Sequence, residues 1–223
     1  MPSIMFVNQK GGVGKSTISI NTAVHLAKKK SVSILDTDPQ ASILSFLQMR
    51  ESNNLSTKNL DFKSPTLKYL ERELKSIKSE YTIIDTQGQG SSDVIANLSL
   101  VDLAIIPIQP SLMDIEATRD LISKILTLIQ GGKTINYKIL INGALTNSKS
   151  TTTDLKNFLK ENNMNYFENV ISFRKIYKDS LFEGKGILEI TDDKPATKNA
   201  KDEFLAFTKE LLNIIENKTT KGD

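Results

Sequence analysis

The 223 residues are enough for one sizeable core, and 39% hydrophobic with 25% charged residues is the ordinary balance of a globular domain. The absence of cysteine excludes disulfides, thiolate metal sites, cysteine nucleophiles and cysteine-ligated iron–sulfur clusters; a single histidine, His25, excludes a histidine-rich metal site. The net charge of +3 permits contact with nucleic acid or an acidic membrane surface without arguing for either. No apolar run approaches the roughly 18 residues that cross a bilayer. The start, Met1-Pro2-Ser3, has neither a basic leader nor an apolar signal region. The expectation is a soluble, cytoplasmic protein.

Short apolar β-rich runs alternate with segments of helical period, which predicts an α/β fold with a largely parallel central sheet flanked by helices. Residues 3–7 read as the first strand, 16–30 as the helix after it and 32–35 as a second strand. Residues 50–59 are polar and read as an irregular surface segment. Ser64-Pro65 reads as the start of a helix with Leu67, Leu70, Leu74 and Ile77 on one face. Strands follow at 81–84 and 103–108. Ser111 and Asp114 form a capping pair for a helix that ends near Gly131-Gly132. Residues 138–141 and 170–171 complete the sheet, and 202–215 form a final amphipathic helix. His25 reads as a solvated or partly buried helix residue. With no repeat and no flexible linker, one domain spans residues 1–216, and 217–223 are a frayed tail.

The strongest local signal is Gly11-Gly12-Val13-Gly14-Lys15-Ser16-Thr17, between a predicted strand and a predicted helix. Glycines let such a loop turn successive N–H groups inward on an anion, and the next helix presents its positive end to the same place. Lys15 supplies charge to the β and γ phosphates, and the Ser16 hydroxyl is placed to ligate Mg²⁺. The bland alternative is a glycine-rich turn that binds nothing. The usual P-loop has glycine five residues before the Gly-Lys pair, where this chain has Gln9, and it adds Lys10.

Three carboxylates lie at predicted strand ends, where an open parallel sheet binds ligands. Asp36 and Asp38 follow the second strand; acids spaced in this way are equally common in plain turns. Asp85 closes the apolar run Tyr81-Thr82-Ile83-Ile84, the form of an acid that holds Mg²⁺ through water, or alternatively of a turn cap.

Asn8-Gln9-Lys10-Gly11-Gly12-Val13-Gly14-Lys15-Ser16-Thr17 resembles the deviant P-loop of the ParA/MinD ATPases, and Asp36-Thr37-Asp38-Pro39-Gln40 is similar to that family's second block. The resemblance implies an ATP sandwich dimer in which Lys10 reaches the nucleotide held by the other subunit, as an arginine finger would. It assigns Asp38 to the attacking water and Asp36 to the Mg²⁺ hydration shell and the switch. It places Asn142 near the adenine, though an asparagine there is also an ordinary turn cap. Where the family continues with Asp-Thr-Pro-Pro, this chain reads Asp85-Thr86-Gln87-Gly88-Gln89-Gly90, which suggests a flexible switch loop.

Ile106-Pro107-Ile108-Gln109-Pro110-Ser111 with Asp114 resembles ParA rather than MinD, and Ile171-Ser172-Phe173-Arg174 with Ser180, Gly184, Lys185 and 187–189 resembles the ParA C-terminal region. The chain resembles the small partition type, without a helix-turn-helix extension before the P-loop. The resemblance implies non-specific DNA binding by the ATP dimer, with candidates Arg174, Lys175, Lys178, Lys185, Lys198 and Lys201. Each is otherwise an ordinary solvated cation. It further implies a stimulating partner, a centromere-binding or cargo adaptor protein, and association with the nucleoid in the ATP state. Two rival functions are a related ATPase that positions a protein cargo and a metabolic P-loop enzyme. A third, MinD-like membrane association, is weighed against the last helix: Phe204, Phe207, Leu211, Ile214 and Ile215 form a stripe of the kind that packs into a core. Glu203, Glu210 and Glu216 would face an anionic membrane badly.

Overall fold

The computed structural model describes residues 1–88, 92–146 and 149–219. Its chain order is β1 Ser3–Phe6, α1 Lys15–Ala27, β2 Val32–Asp36, α2 Ser42–Ser52, β3 Leu60–Lys63, α3 Leu70–Ser76, β4 Tyr81–Asp85, α4 Ser92–Asn97 and β5 Leu103–Ile108. Then come α5 Leu112–Gln130, β6 Tyr137–Ala144, α6 Lys149–Glu161, β7 Ile171–Ser172, α7 Lys175–Phe182 and α8 Pro195–Thr219. The strands form one seven-stranded sheet in the order β3-β2-β4-β1-β5-β6-β7. Every pairing is parallel.

Strands buried on both faces read as continuous apolar runs, and β1, β2 and β5 are buried along their whole length. Their residues alternate between two cores. Ile4, Phe6, Ile34, Ile83 and Ile105 meet α1, α2, α7 and α8 on one face. Met5, Leu35, Ile84, Ala104 and Ile106 meet the helices α3 to α6 on the other. The order reverses at β1, which lies between β4 and β5. That reversal opens a crevice beyond the carboxyl ends of β1, β4 and β5, and the glycine-rich loop leaves β1 there.

Several expected boundaries move. The helix expected at Ser64 begins as a 3-10 turn at Leu67 and becomes α3 at Leu70. Ser64 does not cap it, because its hydroxyl donates to the Asp36 carbonyl at 3.1 Å. The segment 50–59 is not simply irregular surface. Arg50 is buried in α2, and Asn59 donates to the Ala27 carbonyl at 2.8 Å just before the unforeseen edge strand β3. Helix α1 stops at Ala27, where Lys28 N–H turns back to the His25 carbonyl.

The cap on α5 is as expected, with Asp114 N–H donating to Ser111 Oγ. The last helix starts at Pro195, seven residues early, and runs through 217–219, so those residues are helix rather than tail; 220–223 lie outside the described residues. Its stripe is core: Phe204, Phe207, Leu211 and Ile215 are buried. Its acids clamp the sheet edge, Glu203 to Ser172 and Arg174, and Glu210 to Asn169. His25 is half-buried, edge-on to Phe204.

Candidate nucleotide site

The loop after β1 turns through two left-handed glycines, Gly12 at φ 78° and Gly14 at φ 92°, the second being the N-cap of α1. These are conformations that residues with a Cβ adopt only under strain. Two side chains from neighbouring strands hold the loop's carbonyls outward. Gln109, after β5, donates to the Gly12 carbonyl at 3.2 Å, and Asn142, in β6, donates to the Val13 carbonyl at 2.7 Å. With the carbonyls tied back, the N–H groups are left for an anion. In front of Gly11 and Gly12 a Cβ would meet nothing within 4 Å, which is the open space a phosphate chain needs.

Lys15 is buried at the mouth of the loop, and its ammonium donates to the Lys10 carbonyl at 3.0 Å. Burial lowers its pKa, while the charges of Asp85 and then Asp38 oppose that shift. Lys10 extends the other way and forms an ion pair with Asp114 at 2.8 Å. The start of the loop is therefore stitched to α5. Asn8 donates to the Pro107 carbonyl at 2.8 Å, reaches Thr118 of α5 at 3.5 Å and accepts from Lys10 N–H at 2.9 Å.

Asp85 ends β4 in register with Phe6 on one side and Asp36 on the other. Burial raises its pKa to about 7; the nearby Ser16 hydroxyl is the largest influence against the rise, and the Asp36 charge adds to it. Its carboxylate oxygens are buried and lack well-formed hydrogen bonds. A buried, under-satisfied carboxylate beside a serine hydroxyl is a partial shell of hard oxygens, which suits a small divalent cation whose other ligands are waters and phosphates. Among the described residues no group of three or more acidic or histidine side chains is placed to hold a metal ion.

Asp36 is fully buried and accepts from Asp38 N–H at 3.0 Å and Ile43 N–H at 3.1 Å, so it shapes the loop into α2. Burial raises its pKa and those two bonds oppose the rise. Asp38 is half-exposed at the front of that loop and accepts from Gln40 N–H at 2.9 Å. The fold thus gathers Lys10, residues 11–17, Asp36, Asp38, Asp85 and Asn142 at one end of the sheet. Asn142 braces the loop directly: a Cβ on Gly14 would lie 2.1 Å from its Nδ2. Gly88 leans on the loop as well, 3.0 Å from its would-be Cβ to Gly11 Cα, while Gln89 and Gly90 of the expected switch lie outside the described residues.

The six basic candidates are remote from this cluster in sequence and differ from one another. Arg174 is bound to Glu203 at 2.7 Å, and Lys185 pairs with Glu183 at 2.8 Å. Lys175, Lys178 and Lys198 are exposed, and Lys201 is half-exposed. Sequence reasoning overlooked Gln109 and Asn8 as braces and Arg50 as a buried knot. Arg50 binds Glu189 at 2.6 Å and the carbonyls of Gly184 and Ser56. The one available signal for the braces was an amide directly after an apolar strand.

Comparison with known proteins agrees with this geometry. Residues 4–187 match the model of the CobQ/CobB/MinD/ParA nucleotide binding domain. The chain is 23% identical over 188 residues to maintenance of carboxysome distribution protein A of Gloeobacter kilaueensis, covering 83% of each protein. Its fold is shared with Cyanothece McdA in an ATP complex, at a TM-score of 0.76, 17% identity and coverage of 95% and 96% of the two chains. It is also shared with a Borrelia burgdorferi protein described as a plasmid partition protein bound to AMPPNP, at a TM-score of 0.69, 22% identity and coverage of 94% and 99%. A deviant phosphate loop at the sheet's switch point, a lysine on either side of it and buried acids at the ends of β4 and β2 have one common explanation: the chain belongs to the CobQ/CobB/MinD/ParA nucleotide-binding family, as an ATPase of ParA/MinD type.

Proposed function

We propose that this protein is a ParA-type partition ATPase. Two copies close on two ATP molecules, the dimer binds DNA non-specifically, and a centromere-binding or adaptor partner releases it by stimulating hydrolysis. The observation that carries this reading is Lys10. It stands at the rim of the loop, 38% exposed, with its backbone fixed by Asn8 and its carbonyl held by Lys15. A second lysine held at the rim, outside the loop's own anion cradle, is suited to serve a phosphate in a facing copy.

In this reading Lys15 and the N–H groups of residues 11–17 bind the phosphates, and Asn142 borders the adenine as well as bracing the loop. Ser16 and Asp85 hold Mg²⁺, with Asp36 on its hydration shell; the cation offsets charge on the β and γ phosphates. Asp38, at the half-exposed front of its loop, positions the attacking water. Lys175, Lys178, Lys198 and Lys201 supply phosphate-backbone contacts, joined by Arg174 and Lys185 where their carboxylate partners release them. The ATP state associates with the nucleoid in the cytoplasm.

MinD-like membrane association through the last helix draws little support, because the apolar stripe of α8 is core. A second reading is supported by the likeness to the carboxysome distribution protein: the same cycle would position a protein cargo.

Binding to a random DNA duplex with ATP, with ADP and without nucleotide tests the proposal. ATP-specific binding that weakens steeply with salt is expected, because counterions are released from the phosphates. No binding in any state overturns the DNA role and favours the cargo reading.

A further inference from the structure

The ion pair between Lys10 and Asp114 has no part in the chemistry described above. Asp114 sits in the first turn of α5 with its side chain 1% exposed. One carboxylate oxygen is taken by the Ser111 hydroxyl, and its backbone N–H returns to that same hydroxyl. The other oxygen is buried and makes no hydrogen bond, and its charge is offset by the Lys10 ammonium at 2.8 Å. Asn8 reaches the same helix at Thr118.

The geometry points to Asp114 as a positioning residue that holds Lys10 within its own subunit and withholds it from a second copy until ATP is bound. This rests on the trans role given to Lys10 above. A carboxylate buried to this degree is costly to leave without its cation, so Lys10 leaves only when a stronger anion competes. Triphosphates facing Lys10 from a second copy provide that anion, and diphosphates provide less of it. The contact therefore sets the protein concentration at which two ATP-bound copies associate. It also ties that event to the first turn of α5, where Asp114 must find a new partner once Lys10 has gone. The Ser111 hydroxyl stays bound to one carboxylate oxygen throughout and carries no charge, so it does not replace the lost cation.

The test compares the wild type with Asp114→Asn, which keeps the acceptor for Ser111, and Asp114→Glu, which keeps the charge; melting temperatures establish that both are folded. The first readout is acylation of Lys10 by an amine-reactive ester without nucleotide, measured by mass spectrometry against exposed Lys175. The second is the protein concentration for ATP-dependent self-association, by sedimentation. Asp114→Asn is expected to raise Lys10 labelling severalfold and to associate at about tenfold lower concentration, the size set by freeing a half-exposed ion pair. Asp114→Glu is expected to stay near the wild type. Unchanged labelling in Asp114→Asn overturns the proposal, as does raised labelling with unaltered or weaker association, the result of a purely structural role. A wild type that stays monomeric at every ATP concentration overturns the two-copy reading instead; the holding contact is then judged by the labelling ratio, which needs no second copy.

Discussion

Asn142 in β6 holds the Val13 carbonyl at 2.7 Å, joining the sixth strand to a loop that left the first one 129 residues earlier. The amide lies where a Cβ on Gly14 would have to go. The loop's shape is thus enforced from outside as well as permitted by its glycines.

Asn142→Ala removes that brace. Losing one buried hydrogen bond costs about 1–2 kcal/mol, and ATP affinity is expected to fall about tenfold as the loop relaxes. Chemical denaturation and titration with ATP check the two parts. Gly14→Ala is expected to be worse in both, since it adds a left-handed φ penalty to the clash. Equal ATP affinity in wild type and Asn142→Ala would show that the loop holds its form unaided.

Lys15 and Asp38 are expected to separate binding from hydrolysis. Lys15→Ala removes the loop's phosphate charge and should weaken ATP binding by about a hundredfold, at the upper end for a charged hydrogen bond. Asp38→Ala should retain ATP binding, slow hydrolysis about a hundredfold or more and accumulate self-associated protein. Calorimetry with ATP and phosphate release report the two effects independently. Normal turnover in Asp38→Ala would remove its catalytic role.

The buried Asp85 makes a pH prediction for the metal-free protein. Its folded pKa, about 7, lies above the ordinary 3.8, so the folded state binds the extra proton between those values. Stability from this group is present below pH 3.8 and is lost as the pH rises towards 7, the opposite of a salt-bridged carboxylate. Asp85→Asn should flatten that part of the stability profile measured without Mg²⁺. An unchanged slope would mean that the carboxylate stays ionised in the fold.

Glu189 neutralises Arg50 at 2.6 Å in a position where Arg50 is almost wholly enclosed. Glu189→Ala leaves that guanidinium with carbonyl partners only and is expected to cost about 2–3 kcal/mol, below the full figure for a buried pair because Glu189 is partly exposed. Urea denaturation measures it. Nucleotide affinity is expected to hold, since this knot joins α2 to the segment after α7 and includes none of the loop's residues.

The sequence by itself determined the buried strands of the sheet, the loop and the acids. Parallel strands buried on both faces are apolar throughout, so 3–7, 81–84 and 103–108 were legible from composition alone. The phosphate loop is a local motif whose glycines and lysine are contiguous, and Asp36 and Asp85 follow strands that announce their own ends. Elements with weaker local signals were not legible. Strand β3 is a half-buried edge of mixed polarity, Leu60-Asp61-Phe62-Lys63, and α2 has almost no apolar periodicity, because the face it buries, Ile43, Phe46 and Arg50, includes a charge while Leu44 and Met49 lie exposed. Only the tertiary structure decided the braces and the ion pairs. Lys10 meets Asp114, Asn142 meets Val13 and Arg50 meets Glu189 across 104, 129 and 139 positions of chain. Such partners are set by which strand ends the sheet places side by side, and residue spacing carries no trace of that order.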